Sequence, residues 1–160
     1  MERIEGSRSA RPFRFAIVVS AYHDFVTSRL ERGAIEALTA AGADEASITI
    51  IRVPGSFEIP LAAQHAGESG QFNAVICLGC LIKGETPHFE FIASAVAQGL
   101  TSAAAATGVP MTFGVLTTTS AEEALARAGE GPGNKGREAA EAAIDMASVV
   151  SQITQQGTNV

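Results

Sequence analysis

An α/β fold, with a parallel sheet covered by helices on both faces, is predicted by three features of the 160-residue chain. Short apolar, β-branched runs alternate four times with stretches of helical periodicity. The runs read as buried strands, and glycines and prolines punctuate the joins between elements. The length suits one domain around a single core.

The elements follow in order. After a polar start, FRFAIVVS (13–20) reads as a buried strand. The next segment carries Val26, Leu30, Ala34, Ala37, Leu38 and Ala41 at three-to-four spacing, a helix that Gly42 closes. SITIIRV (47–53) is strand-like; Pro54-Gly55 then breaks the chain, and Pro60 enters a short helix that fades at Gly67 and Gly70. NAVICLG (73–79) is the third strand. A helix from about Thr86 places Ile92, Ala95, Val96, Gly99, Leu100 and Ala103 on one side and ends at Gly108. VPMTFGVLT (109–117) is the fourth strand, and Ser120 with Glu123 forms a capping box for a helix ending near Ala128. A glycine-rich connector, AGEGPGNKG (128–136), leads to a last helix packed through Ala140, Ala143, Ile144, Ala147 and Val150. The expected division is a flexible N-terminal segment over 1–12, a single domain over 13–154 and a tail over 155–160.

Composition narrows the function classes. The formal net charge is −6, and Lys83 and Lys135 are the only lysines, so there is no basic stripe for nucleic acid. No apolar run reaches membrane-span length. The opening MERIEGSRSARP lacks the apolar core of a secretory signal, and a cytoplasmic location is expected. Charged residues make up only 18% and glycines number 16, which favours a surface partly covered by other copies of the chain.

In a parallel sheet of this kind ligands gather beyond the carboxyl ends of the strands. That edge groups segments 20–24, 54–58 and 79–88. In GETPHFEF (84–91), Thr86 can act as N-cap and Pro87 as first helical residue, with His88 next. The unpaired N–H groups there can cradle an anion, with Gly84 allowing close approach. The positive helix end disfavours protonation of His88, whereas a nearby carboxylate favours it. The plainer alternative is that Thr86, Glu85 and Glu90 only cap and solubilise the helix. VPGSFEIP (53–60) exposes Ser56 and sets Phe57 beside Glu58, a turn able to hold a polyhydroxylated ligand or, alternatively, a simple hinge with Phe57 in the core. Tyr22 can stack on a flat heterocycle or close the sheet.

Other motifs point away from metal and redox chemistry. Cys77 and Cys80 lie along a strand and its exit, and their spacing sends the side chains to opposite faces, with Cys77 buried and Cys80 lining a pocket wall. His23, His65 and His88 lack metal-ligand spacing, so no metal is expected. GEGPGNKG lacks the ending of a P-loop, and Phe113 lies in a strand. Basic residues of the connector, on the far side of their own helix, reach a strand-end site only if a neighbouring subunit delivers them.

Four segments together, VPGSFEIP, LGCLIKGETPHFEF, FGVLTT and RAG…GNKG, in order and in register from about Phe13 to Val150, resemble the 6,7-dimethyl-8-ribityllumazine synthase family. The resemblance implies a flavodoxin-like three-layer αβα sandwich around a four-stranded parallel sheet. It implies pentamers, twelve of which form a hollow icosahedral 60-mer in many members. The implied reaction condenses 5-amino-6-(D-ribitylamino)uracil with L-3,4-dihydroxy-2-butanone 4-phosphate, releasing phosphate and water without any cofactor, as the penultimate step of riboflavin biosynthesis. Carried over by position, His88 is the proton-transfer residue. Tyr22, Ser56, Phe57, Glu58, Leu81, Ile82, Phe113 and Lys135 bind the pyrimidine and its ribityl chain. Gly84, Glu85, Thr86 and Arg127 bind phosphate. Phe113, Arg127 and Lys135 come from the adjacent subunit. The chain departs from the family pattern at His23, where asparagine is common, at Thr119, where an acid is frequent, and at Gly131, where many capsid formers carry lysine. These departures bear on assembly more than on chemistry. Alternatives of the same fold are an archaeal-type riboflavin synthase, which joins two lumazines, and a non-catalytic riboflavin- or lumazine-binding protein.

Overall fold

The computed structural model describes residues 1–157; the end of the expected 155–160 tail lies outside the described residues. Four strands, β1 (Phe15–Ser20), β2 (Ile48–Val53), β3 (Ala74–Ile82) and β4 (Met111–Thr118), form one all-parallel sheet in the order β2-β1-β3-β4. The helices are α1 (Asp24–Ala40), α2 (Ile59–Glu68), α3 (His88–Thr107), α4 (Ala121–Ala126) and α5 (Lys135–Gly157). No helix among them is long and apolar enough to cross a membrane.

The two central strands explain the sequence's longest apolar runs. β1 is buried at every position, because side chains of both parities meet a helical layer. Phe15, Ile17 and Val19 enter a core with Leu30 and Leu38 of α1 and Ala140 and Ile144 of α5. Ala16 and Val18 enter the opposite core with Ile59 and Ala63 of α2 and Val96 and Leu100 of α3. Each large aliphatic side chain buried this way contributes roughly 1.5–3 kcal/mol. The result is a three-layer sandwich, α1 and α5 on one face and α2 and α3 on the other.

Helix ends match the expected signals at some positions and not at others. Gly42, at φ 99°, donates to Thr39 O (3.0 Å) while Ala43 donates to Leu38 O (2.9 Å), which closes α1 with satisfied carbonyls. Gly108 ends α3 at φ 69°. At the start of α3 the expectation needs correction. Pro87, not Thr86, is the capping residue, no side chain caps the helix, and His88 is its first residue rather than its second. The strand before it is also longer than the apolar run implied, reaching Ile82 because Cys80, Leu81 and Ile82 pair with Leu116, Thr117 and Thr118 of β4.

Residues 1–12 run against the domain. Ala10 is fully buried and donates to Ala41 O (3.0 Å), and Arg11 binds Gly42 O (2.6 Å) and the Asp44 carboxylate (2.7 Å).

Candidate functional site

The carboxyl ends of β1, β2 and β3 open into a cavity of about 870 Å³. Its wall includes Tyr22, Ser56, Phe57, Glu58, Leu81, Ile82, Gly84, Thr86 and His88. Thus the three segments grouped by topology do meet. Glu85 does not line the cavity. Lys83, Phe89, Phe91 and Ile92 do, though the motif reading left them out. Phe91 could have been found: it is a large apolar side chain 72% exposed, on a helix whose buried face is already filled by Val96 and Leu100.

Local hydrogen bonds hold the wall in place. Ala21 donates to Val53 O (2.8 Å) and Tyr22 to Pro54 O (3.0 Å), so the loops after β1 and β2 continue the sheet's pairing past its edge. The turn at 56–58 is a single 3-10 turn, and Ser56 within it is buried. Gly79 of β3 makes room for it: a Cβ there would come within 2.6 Å of the Ser56 hydroxyl oxygen and 3.1 Å of Ile59 Cδ1. Phe57 is 63% exposed on the cavity wall, so the reading that it fills the core is excluded. Tyr22, 66% exposed, does not close the sheet. Its ring lies 4.3 Å from that of His23, centroid to centroid, and offers an open aromatic face. Lys83 pairs with Glu90 at 3.5 Å, joining the end of β3 to the first turn of α3.

His23 sits in the left-handed region at φ 59°, ψ 45°, just before α1. That conformation is costly for most side chains; glycine adopts it most freely, and asparagine, aspartate and histidine tolerate it better than other residues, asparagine gaining from a short side chain that bonds locally. Burial holds the imidazole below its ordinary pKa. A depressed histidine favours the fold while neutral, so this contribution is full above about pH 6.5 and is lost as pH falls towards the lowered value. His23→Asn is expected to raise Tm slightly, by the equivalent of about 0.5 kcal/mol, and to flatten this part of the stability–pH curve. Thermal melts between pH 5 and 8 check both.

Phe113, Arg127 and Lys135 are elsewhere. They line a separate cavity of about 310 Å³ between β4 and the start of α5, which shares no lining residue with the first. Phe113 pairs with Cys77, well before the strand ends, and is 48% exposed on an edge strand. Arg127 follows α4 and is held by Glu123: Nη1 donates to the Glu123 carbonyl (3.0 Å), and Nη2 lies 3.4 Å from its carboxylate. The capping box forms in part. Glu123 N–H donates to Ser120 Oγ (3.1 Å), but its carboxylate accepts from Thr119, from N–H at 2.8 Å and from the hydroxyl at 2.7 Å. These Thr119 bonds, with Arg127 adding to them, hold the Glu123 carboxyl below its usual range. Thr119 therefore fixes the acid that orients Arg127. Lys135 Nζ pairs with Glu138 at 2.7 Å.

The cysteines behave as two separate core residues. Cys77 and Cys80 face opposite cores, as their spacing predicts. Cys80 does not line the pocket, a correction that follows from β3 continuing past it. Burial pushes its thiol up to about 11 and raises that of Cys77 further, so both stay protonated and unreactive.

The model of the family described as 6,7-dimethyl-8-ribityllumazine synthase matches residues 12–151. A protein of Syntrophus aciditrophicus (strain SB) with that same name is 49% identical over 149 residues, which covers 93% of this chain and 97% of the relative.

Proposed function

The chain belongs to the 6,7-dimethyl-8-ribityllumazine synthase family, and from that premise we propose which residues carry its reaction and how copies of the chain share it. The reaction is a transferase step of riboflavin biosynthesis. It condenses 5-amino-6-(D-ribitylamino)uracil with L-3,4-dihydroxy-2-butanone 4-phosphate to 6,7-dimethyl-8-ribityllumazine, with release of phosphate and water.

The pyrimidine stacks on Tyr22. Main-chain groups near Leu81 and Ile82 bind its edge, and Ser56, Phe57 and Glu58 hold the ribityl chain. What supports this is the strand-end cavity, whose wall combines the aromatic and apolar side chains of Tyr22, Phe57 and Leu81 with the polar groups of Ser56, Glu58 and Lys83. The phosphorylated ketone lies towards Gly84, Glu85 and Thr86, where α3 begins without a side-chain cap and its first N–H groups are open to an anion. His88, the first residue of that helix, transfers protons.

Arg127, Lys135 and Phe113 complete the site from an adjacent copy, with Arg127 gripping the phosphate and Phe113 covering the ring. The observation that carries this reading is the separation of the two cavities within one chain, one holding the histidine and the other the arginine. A ring of heterologous contacts joins one to the other at every interface. The exposed aromatic and apolar residues Phe57, Leu61, Phe91 and Phe113 supply surface for such contacts. The assembly is at least a pentamer and works in the cytoplasm on small-molecule substrates.

Chemically, the 5-amino group attacks the ketone carbonyl and water leaves to give an imine. Loss of the proton next to the imine carbon then expels phosphate and leaves an enol, which tautomerises to a ketone; the ribityl-bearing nitrogen adds to that carbonyl and a second water leaves to close the ring, with His88 passing the protons. An assay supplying both substrates, with lumazine absorbance and free phosphate followed together, tests the function. Equal amounts of the two products are expected. Phosphate release without lumazine, or no turnover by a fully assembled sample, would contradict it.

A further inference from the structure

We propose that Asn134 is a positioning residue for the phosphate-binding half of the site, an inference that rests on the reading of Arg127 given above. The connector around it is poor in anchors, with glycine at 129, 131 and 133 and no large apolar side chain. Asn134, 4% exposed, is its buried polar side chain.

Its amide makes four hydrogen bonds to three parts of the chain. Oδ1 accepts from Gly136 N (2.8 Å) and Arg137 N (3.0 Å), which caps α5. Nδ2 donates to Gly129 O (3.0 Å), two residues past Arg127, and to Arg29 O of α1 (3.2 Å). One planar group therefore ties the helix that carries Lys135, the turn that follows Arg127, and a third element as fixed reference. The backbone completes the closure: Lys135 N donates to Arg127 O at 2.9 Å.

Two glycines on the facing helices make the seat. A Cβ on Gly33 would overlap the Asn134 amide, and one on Gly136 would overlap the Leu30 carbonyl. The α1–α5 crossing is thus close enough for a side-chain amide to reach backbone on both helices. Without the Nδ2 donations, the glycine-rich turn regains backbone freedom, and the guanidinium at its edge is no longer held where a neighbouring site needs it.

Asn134→Ser separates this role from simple helix capping, because a serine hydroxyl still accepts from the first turn of α5 but cannot make both donations. In the intact assembly, KM for the phosphorylated ketone is expected to rise about five- to tenfold while kcat changes less than about twofold. Placed on an Arg127→Ala background, the same substitution is expected to add no further rise. An unchanged KM in the single variant would overturn the inference, as would an equal rise on both backgrounds. If the serine variant fails to assemble, Asn134→Asp keeps the shape and the acceptor, loses the donations, and is read by the same comparison. An Arg127→Ala enzyme with unaltered KM would remove the phosphate reading and this inference with it, and that outcome is visible before Asn134 is touched.

Discussion

Arg127→Ala is expected to raise KM for the phosphorylated ketone on the order of a hundredfold, with a far smaller effect on the pyrimidine. A guanidinium fork makes two charge-assisted bonds to a phosphate, each worth about 1.5–3 kcal/mol. The full sum is not expected, because the side chain is 43% exposed and Glu123 already neutralises part of its charge from 3.4 Å. About 3 kcal/mol remains, and each 1.4 kcal/mol is tenfold. Arg127→Lys should recover only part of the loss, since an ammonium lacks the fork. Steady-state kinetics with each substrate varied in turn decides it. A loss confined to the pyrimidine would remove Arg127 from the phosphate site.

His88→Ala is expected to lower kcat by roughly ten- to a hundredfold while leaving both KM values within a few-fold. General acid–base catalysis by one side chain is worth about a hundred- to ten-thousandfold. The loss expected here falls at or below the lower end of that range because the departing phosphate can move protons itself. Much of the remaining rate comes from holding two substrates in contact, an effect that can exceed 10⁵ M in effective concentration. Since His88 lies in the first turn of α3 on an exposed wall, the alanine variant should fold and assemble normally. Single-turnover kinetics separates the chemical step from product release. A variant at full rate would show that imidazole does not carry the proton.

Much of the fold was legible because burial on both faces leaves a plain signature. FAIVVS and AVICLG are apolar without alternation, and only a doubly covered parallel sheet buries such runs completely. Helix closures at Gly42 and Gly108 were legible for a similar reason, since a positive φ restricts the residue type. The strand-end cavity followed from topology. The start of α3 was misplaced because Thr86-Pro87 satisfies two end signals at once, and the chain uses neither hydroxyl nor first-turn proline as expected. The end of β3 was misplaced because its last residues are ordered by pairing with β4, a non-local partner that composition does not reveal. The Thr119–Glu123–Arg127 linkage was hidden too. A capping box leads one to expect the Glu123 carboxylate at Ser120 N–H, but it reaches one residue further back, to Thr119. Phe113, Arg127 and Lys135 show no chemistry in their local pattern; the resemblance carried by FGVLTT and RAG…GNKG marks them, and the fold puts them in a different cavity from His88.

Sharing of one active site between two copies is the central claim, and mixing two damaged enzymes tests it most directly. His88→Ala and Arg127→Ala chains, dissociated together and reassembled at equal amounts, should assay well above the average of the two parents at low ketone phosphate. In a ring where each site takes its histidine from one copy and its arginine from the next, about one quarter of the interfaces pair two undamaged halves. Activity no greater than that average, in assemblies verified to contain both chains, would mean that His88 and Arg127 do not meet across an interface.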